Sequence, residues 1–373
     1  MTTIRAAAIW TPTEALEPGW IQVDGERITA VGRGDPPPGA GSAIDARGLT
    51  VCPGFLDIHV HGGFGHDLLD GAPALPRHGC TGYLPTTVTA PWEATLAAIA
   101  AMADACDRPP GGATPMGVHL EGPFLNPLRR GMQPAEHLRT PSATDAAQLL
   151  DAGRGWVRSM TLAPELLGGL ALVGQLVGRD IVAAMAHSDA SYEQAVAATA
   201  AGVRHVTHCY NAMRPLHHRD PGVVGAALDL AGLTVEAIAD GVHVHRAALR
   251  LLWRIKGWRR LALVTDAMAG AGAAPGVYRF GGQAVTVRDG QADLADGTLA
   301  GSVLTMDQAV RTMVEAGAPA REAVGMATLA PAEAVGCLDV GRIAPGCRAD
   351  LVALDAGLQV VWTMVGGGVI WRG

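Results

Sequence analysis

Short apolar runs recur through the middle of the chain at intervals of roughly 20–40 residues, separated by alanine-rich helical stretches such as 91–106, 142–152 and 191–202. Eight runs can be counted, ending near His59/His61, Thr87/Thr89, Glu121, Pro164, His187, His208, Asp240 and Asp266. Strands alternating with helices predict a parallel sheet, and eight such units predict a closed (β/α)8 TIM-type barrel over 51–340. An outer helix is predicted at 249–260, a β-hairpin excursion at 277–299, and further helices at 304–316 and 319–336. The two ends read differently. Ile21-Gln22-Val23 and Ile28-Thr29-Ala30-Val31 flank the turn Asp24-Gly25-Glu26, and Pro36-Pro37-Pro38-Gly39 interrupts the strand pattern after them. Beyond residue 341, Asp350-Leu351-Val352-Ala353-Leu354, 360–365 and Val369-Ile370-Trp371 are again short strands. Residues 1–50 and 341–373 are therefore expected to pair as a small β-sandwich built from both termini.

Composition narrows the function. With 373 residues, 49% hydrophobic and 17% charged, the chain has enough apolar material for one large core and a smaller one. A net charge of −7 speaks against a nucleic-acid partner. Mean hydropathy of +0.22 invites a membrane reading, but the most apolar stretch, 166–178, is interrupted by glycine and Gln175 and is too short to span. The first 20 residues carry no basic start, apolar core or cleavage site, so the expectation is a cytoplasmic protein. Six cysteines without a CxxC pair read as free buried thiols. Of 28 basic residues only Lys256 is lysine, and its helical setting makes it a poor candidate for Schiff-base or carbamate chemistry.

The chemistry lies at the strand ends, which a barrel brings to one cavity. In the first run, Asp57-Ile58-His59-Val60-His61, alternation points both histidines the same way, as a cation would need; a hydrogen-bonded structural pair would look the same on this strand alone. Glu121 closes an apolar run, where an ionised carboxylate needs a counter-charge, and it could bridge two cations. His119, two residues deeper, fits a supporting position or a buried core histidine. His187 and His208 end the fifth and sixth runs; with Glu121 they make a three-ligand site with a position open for water. Asp266, ending the eighth, suits a general base, or a cap for the next segment. Asn211, neighbouring backbone N–H groups and Arg219 suit a phosphate, although Arg219 could equally make a surface ion pair. His243 and His245 are placed to meet substrate hydroxyls.

These residues sit in stretches that resemble the amidohydrolase superfamily and, within it, the N-acetylglucosamine-6-phosphate deacetylase family: Pro53–Gly62, His119-Leu120-Glu121-Gly122-Pro123-Phe124, Ala186-His187-Ser188-Asp189, Thr207–Met213, His217–Gly222, Ala239–His243, Val264–Met268 and Asp296–Ser302, in family order. The resemblance implies Glu121, His187 and His208 as ligands of one divalent metal, and His59 and His61 as ligands of a second. Zinc is the expected metal, with iron, manganese or cobalt acceptable. It further implies Asp266 as general base and acid, Asn211, Ala212 and Arg219 on the sugar phosphate, and His243 facing the sugar. Arg219 would reach across a homodimer into the partner's site. The substrate implied is a phosphorylated N-acetylamino sugar, with an N-acyl amino acid, a cyclic amide or an inactive barrel scaffold as rival readings. One departure stands out. Where the family has a histidine that polarises the acetyl carbonyl, this chain has Gln133, after Gly131 and Met132. Met132 and Gln133 are expected to line the substrate site; either a second metal or nearby His137 substitutes for the charge, or the substrate is another N-acylated sugar phosphate.

Overall fold

A computed structural model describes residues 1–37 and 42–373; of the proline-rich break, Pro38 and Gly39 lie outside the described residues. The eight expected runs are the eight barrel strands, in order Phe55–Val60, Cys80–Pro85, Val118–Glu121, Val157–Leu162, Val182–Met185, His205–Val206, Thr234–Ile238 and Leu261–Val264. Six of them, from the third to the eighth, form one continuous parallel sheet, and the first two pair in parallel beside it. Two seams close the ring. A parallel bridge joins Thr86 to His119, and the first and eighth strands exchange bonds from Asp266 N–H to His59 O (2.8 Å) and His61 N–H to Ala267 O (2.9 Å). Nearly every strand residue is buried, as expected for strands covered by side chains within and helices without.

The helices begin where the sequence supplies caps. Ser142 accepts from the Asp145 N–H to start Ala143–Ala152, and Ser191 with Gln194 forms a reciprocal capping box at Tyr192–Ala201. Three expectations are revised. The single helix over 319–336 is two, Ala320–Ala327 and Leu329–Ala334, because Thr328 leaves helical geometry and Pro331 has no N–H to give the Ala327 carbonyl. The outer helix starts earlier, spanning Arg246–Lys256, and the Lys256 amine bonds the Leu230 carbonyl at 2.8 Å, away from the barrel mouth. The excursion is a three-stranded antiparallel meander, Gly276–Phe280, Gln283–Arg288 and Gln291–Asp293, rather than a hairpin.

Both termini contribute to one eight-stranded mixed sheet. Ser42–Pro53 from the N-terminal side pairs with Thr2–Trp10 on one edge and with Leu351–Leu354 from the C-terminal side on the other. The sheet encloses its own core of Ile4, Ile21, Ile28, Val51, Leu351 and Trp362. All six cysteines are buried and free, and no described helix is long and apolar enough to cross a membrane.

Candidate metal and active site

At the C-terminal mouth of the barrel, the histidines and carboxylates that end five separate runs come together. Glu121 Oε1 lies 3.0 Å from His208 Nε2 and 3.2 Å from His187 Nε2, and those two nitrogens are 3.1 Å apart. His59 and His61 sit beside them, their Nε2 atoms 3.2 Å apart and 3.5–3.6 Å from the Glu121 carboxylate. Asp266 Oδ1 is 3.1 Å from His61 Nε2 and 3.6 Å from that of His59. The backbone turns out of the sheet at three of these residues, with φ of +47° at His187, +29° at His208 and +50° at Asp266. Such left-handed geometry is costly off glycine and collects at functional sites.

Whether this cluster fits a cation can be read from the far side of each ring. His187 Nδ1 faces the Arg129 carbonyl (3.0 Å), His61 Nδ1 the Thr86 carbonyl (3.1 Å) and His59 Nδ1 the Glu236 carboxylate (3.0 Å). All three partners only accept, so each Nδ1 carries the hydrogen and each Nε2 presents a lone pair to the centre. Lone pairs and a carboxylate oxygen 3.0–3.2 Å apart repel one another unless a positive charge lies among them. Bonds of about 2.0–2.1 Å to a shared ion separate tetrahedral ligands by roughly 3.3 Å. The set fits. Two groups answer this description, Glu121 with His187 and His208, and Glu121 with His59 and His61. The same demand for positive charge shows in His59: burial pulls its imidazole down, but the Asp266, Glu121 and Glu236 carboxylates outweigh it and push it up to about 10. Burial pushes Asp266 up as well, yet the His59 and His61 rings outweigh it and hold the carboxyl below its ordinary range.

Gln133 does more than line the site. Its Oε1 accepts from the Thr89 N–H (2.9 Å), which fixes the amide so that Nε2 donates to Glu121 Oε2 (2.7 Å). A cleft of about 240 Å³ opens above the cluster, lined by Met132, Gln133, Asn211, Ala212, His243 and Asp266 among others. His243 is held by Asp240, whose carboxylate takes its Nδ1 at 2.6 Å. Phe280 packs its ring on His61, so the meander supplies a wall of the cleft to which the sequence alone assigns no role. His119 lies beneath, its ring against that of His59, with Thr161 Oγ1 at 2.8 Å; burial drives it down to about 3 and keeps it neutral.

Three residues lie elsewhere. His245 accepts from the Ala247 N–H as the cap of helix Arg246–Lys256 instead of meeting substrate. His137 is on a separate depression beside Arg130 and does not line the cleft. Arg219 is exposed on the 214–220 loop outside the cleft, and among the described residues it has no carboxylate partner. Sequence reasoning missed Glu236, a buried mid-strand carboxylate that takes His59 Nδ1, His205 Nε2 (2.8 Å) and the His208 N–H (3.1 Å). Burial raises Glu236, but bonds from His205 and His59 outweigh it and hold it well below the usual range.

A parallel barrel whose mouth gathers imidazoles and a carboxylate around a cation-sized space is the architecture of a metal-dependent hydrolase. The chain belongs to the amidohydrolase family, whose model matches residues 50–370. It is 40% identical to N-acetylgalactosamine-6-phosphate deacetylase of Escherichia coli O157:H7, covering 93% of this chain and 95% of that protein. It is 36% identical to N-acetylglucosamine-6-phosphate deacetylase of Bacillus subtilis, over 98% and 96%. Among solved structures, a Mycobacterium smegmatis N-acetyl-D-glucosamine-6-phosphate deacetylase variant in complex with N-acetyl-D-glucosamine-6-phosphate superposes with a TM-score of 0.94 at 39% identity, over 99% of each chain.

Proposed function

We propose that this chain hydrolyses the acetamide of N-acetylglucosamine-6-phosphate, giving glucosamine-6-phosphate and acetate. The observation that carries the reading is the cleft itself: Asp266 stands at its floor beside the Glu121–His187–His208 group, and relatives that act on acetylated hexosamine phosphates share this fold along the whole chain. Glu121, His187 and His208 would hold one divalent cation, zinc by preference, and His59 and His61 a second; bound there, a cation supplies an acidic water and polarises the acetyl carbonyl. Asp266 is the base. Its ionised carboxyl accepts a proton from water as the new C–O bond forms, then delivers that proton to the amide nitrogen as the C–N bond breaks. Asn211 and Ala212 receive the phosphate, Met132, Gln133 and His243 frame the sugar, and Arg219 reaches the cleft of a second copy in a homodimer. We assign the barrel to 51–340 and the accessory sheet to 1–50 and 341–373, and place the protein in the cytoplasm, where free buried thiols persist.

A second sugar is favoured by one observation, the 40% identity to a deacetylase of N-acetylgalactosamine-6-phosphate. Acetate release from both sugar phosphates and their unphosphorylated forms separates the readings. The expected result is turnover of the glucosamine derivative at least tenfold faster in kcat/KM than of any unphosphorylated sugar. Preference for the galactosamine epimer would move the assignment to that sugar. Equal turnover with and without phosphate would point instead to an N-acyl amino acid or cyclic amide hydrolase.

A further inference from the structure

Glu236 touches both halves of the histidine cluster. Its Oε2 accepts from His59 Nδ1 at 3.0 Å and from the main-chain N–H of His208 at 3.1 Å, while Oε1 accepts from His205 Nε2 at 2.8 Å. It is 2% exposed and lies in the middle of Thr234–Ile238, one layer below the strand exits. A buried carboxylate here is costly unless its oxygens are filled, and an apolar residue would complete the barrel interior more simply. What the carboxylate adds is direction. It can only accept, so it dictates that His59 carries hydrogen on Nδ1 and offers Nε2 to the centre, and it raises the donor strength of that nitrogen. His61 has its Nδ1 set by a main-chain carbonyl in any case, so His59 is the ring whose tautomer depends on a replaceable side chain.

We propose that Glu236 is a positioning residue that makes His59 a metal ligand and thereby sets the affinity of the His59/His61 half of the cluster for a divalent cation. This rests on the proposed function in one respect, that the cluster holds such a cation.

The test is a chelator competition with Zn²⁺ and with Mn²⁺ on metal-stripped full-length wild type, Glu236→Gln and Glu236→Leu. Glu236→Leu is expected to bind the ion held by the His59/His61 half of the cluster about 10–100-fold less tightly. Glu236→Gln should fall between, since its amide oxygen still accepts from His59 and its NH2 can face His205, but the negative charge behind the ring is gone. In excess metal, KM for the sugar phosphate should stay within about twofold of wild type for both variants, because Glu236 does not line the cleft. Wild-type affinity in Glu236→Gln and Glu236→Leu alike would overturn the role of Glu236 alone. If Glu236→Leu does not fold, Glu236→Gln decides: weaker binding supports the role and unchanged binding overturns it. A wild type that binds neither cation would overturn both this role and the metal chemistry beneath it.

Discussion

Glu121 and Asp266 face the same imidazoles but differ in what is left free. One oxygen of Glu121 accepts from the Gln133 amide, and the other faces the His187 and His208 Nε2 atoms at 3.0–3.2 Å, where a cation would take it up. Asp266 makes contact through Oδ1 and its side chain keeps 13% exposure towards the cleft, so it has room to trade a proton with a substrate. Asp266→Asn is accordingly expected to keep its metal and lose about 10²–10⁴-fold in kcat; near-normal turnover would remove Asp266 from the proton transfers. Arg219→Ala should raise KM for the phosphorylated sugar about tenfold or more and leave an unphosphorylated sugar unaffected, which parallel kinetics on the two would check. Much of this was legible because barrel ligands sit at strand exits, where the alternation of His59 and His61 and the abrupt polar ends at Glu121, His187, His208 and Asp266 show in one sequence. Glu236 was not, although a carboxylate inside an apolar run needs a partner there as much as at Glu121. Its place in mid-strand, with its partners on other strands, hides the reason for it.

Among the elements, helix Met306–Glu315 shows how a local cluster ties the barrel's outer layer to its rim. Asp307 in its first turn takes His78 Nδ1 at 3.0 Å, the Thr305 hydroxyl at 2.6 Å and Arg311 at 2.9 Å. Burial pushes its carboxyl up, but His78, Thr305 and Arg311 outweigh that and bring it down to about 2. A folded pKa below the ordinary 3.8 means the ionised form is the one folding favours. That stability is present above about pH 4 and is lost as pH falls towards 2. Asp307→Asn should therefore lower unfolding free energy at pH 7 by on the order of 1–2 kcal/mol, with the gap closing at about pH 2. Denaturation at the two pH values tests it, and a gap that persists in acid would show packing rather than charge to be the cause. Hydrophobic period and turn residues were enough to find all eight strands and most helices. They could not reveal the split at Thr328, where a proline three residues on acts through a carbonyl one turn back. Nor could they show that the meander containing Phe280 folds over the mouth, since that wall is set by contacts between distant segments.

At the scale of the whole molecule, sheet closure is what makes the site. His59 and Glu121 are held by strands on opposite sides of the second strand, and the first strand is tied to the eighth by the Asp266 and His61 backbone bonds. The ring thus brings candidate ligand atoms from the first, third, fifth and sixth strands together in two overlapping groups that share Glu121, the atoms of each within 4.8 Å of one another, and a cation held among them should brace the barrel. Metal removal is expected to lower the midpoint of thermal unfolding, with recovery on readdition; no change in midpoint would mean the cation is not part of the folded framework. The most direct test of the account is metal content measured on the same sample as deacetylation. Freshly purified protein should carry at least one divalent metal ion per chain, stripping it should abolish acetate release, and Glu121→Gln should lower both together. Full acetate release from protein shown to be free of metal would contradict the account.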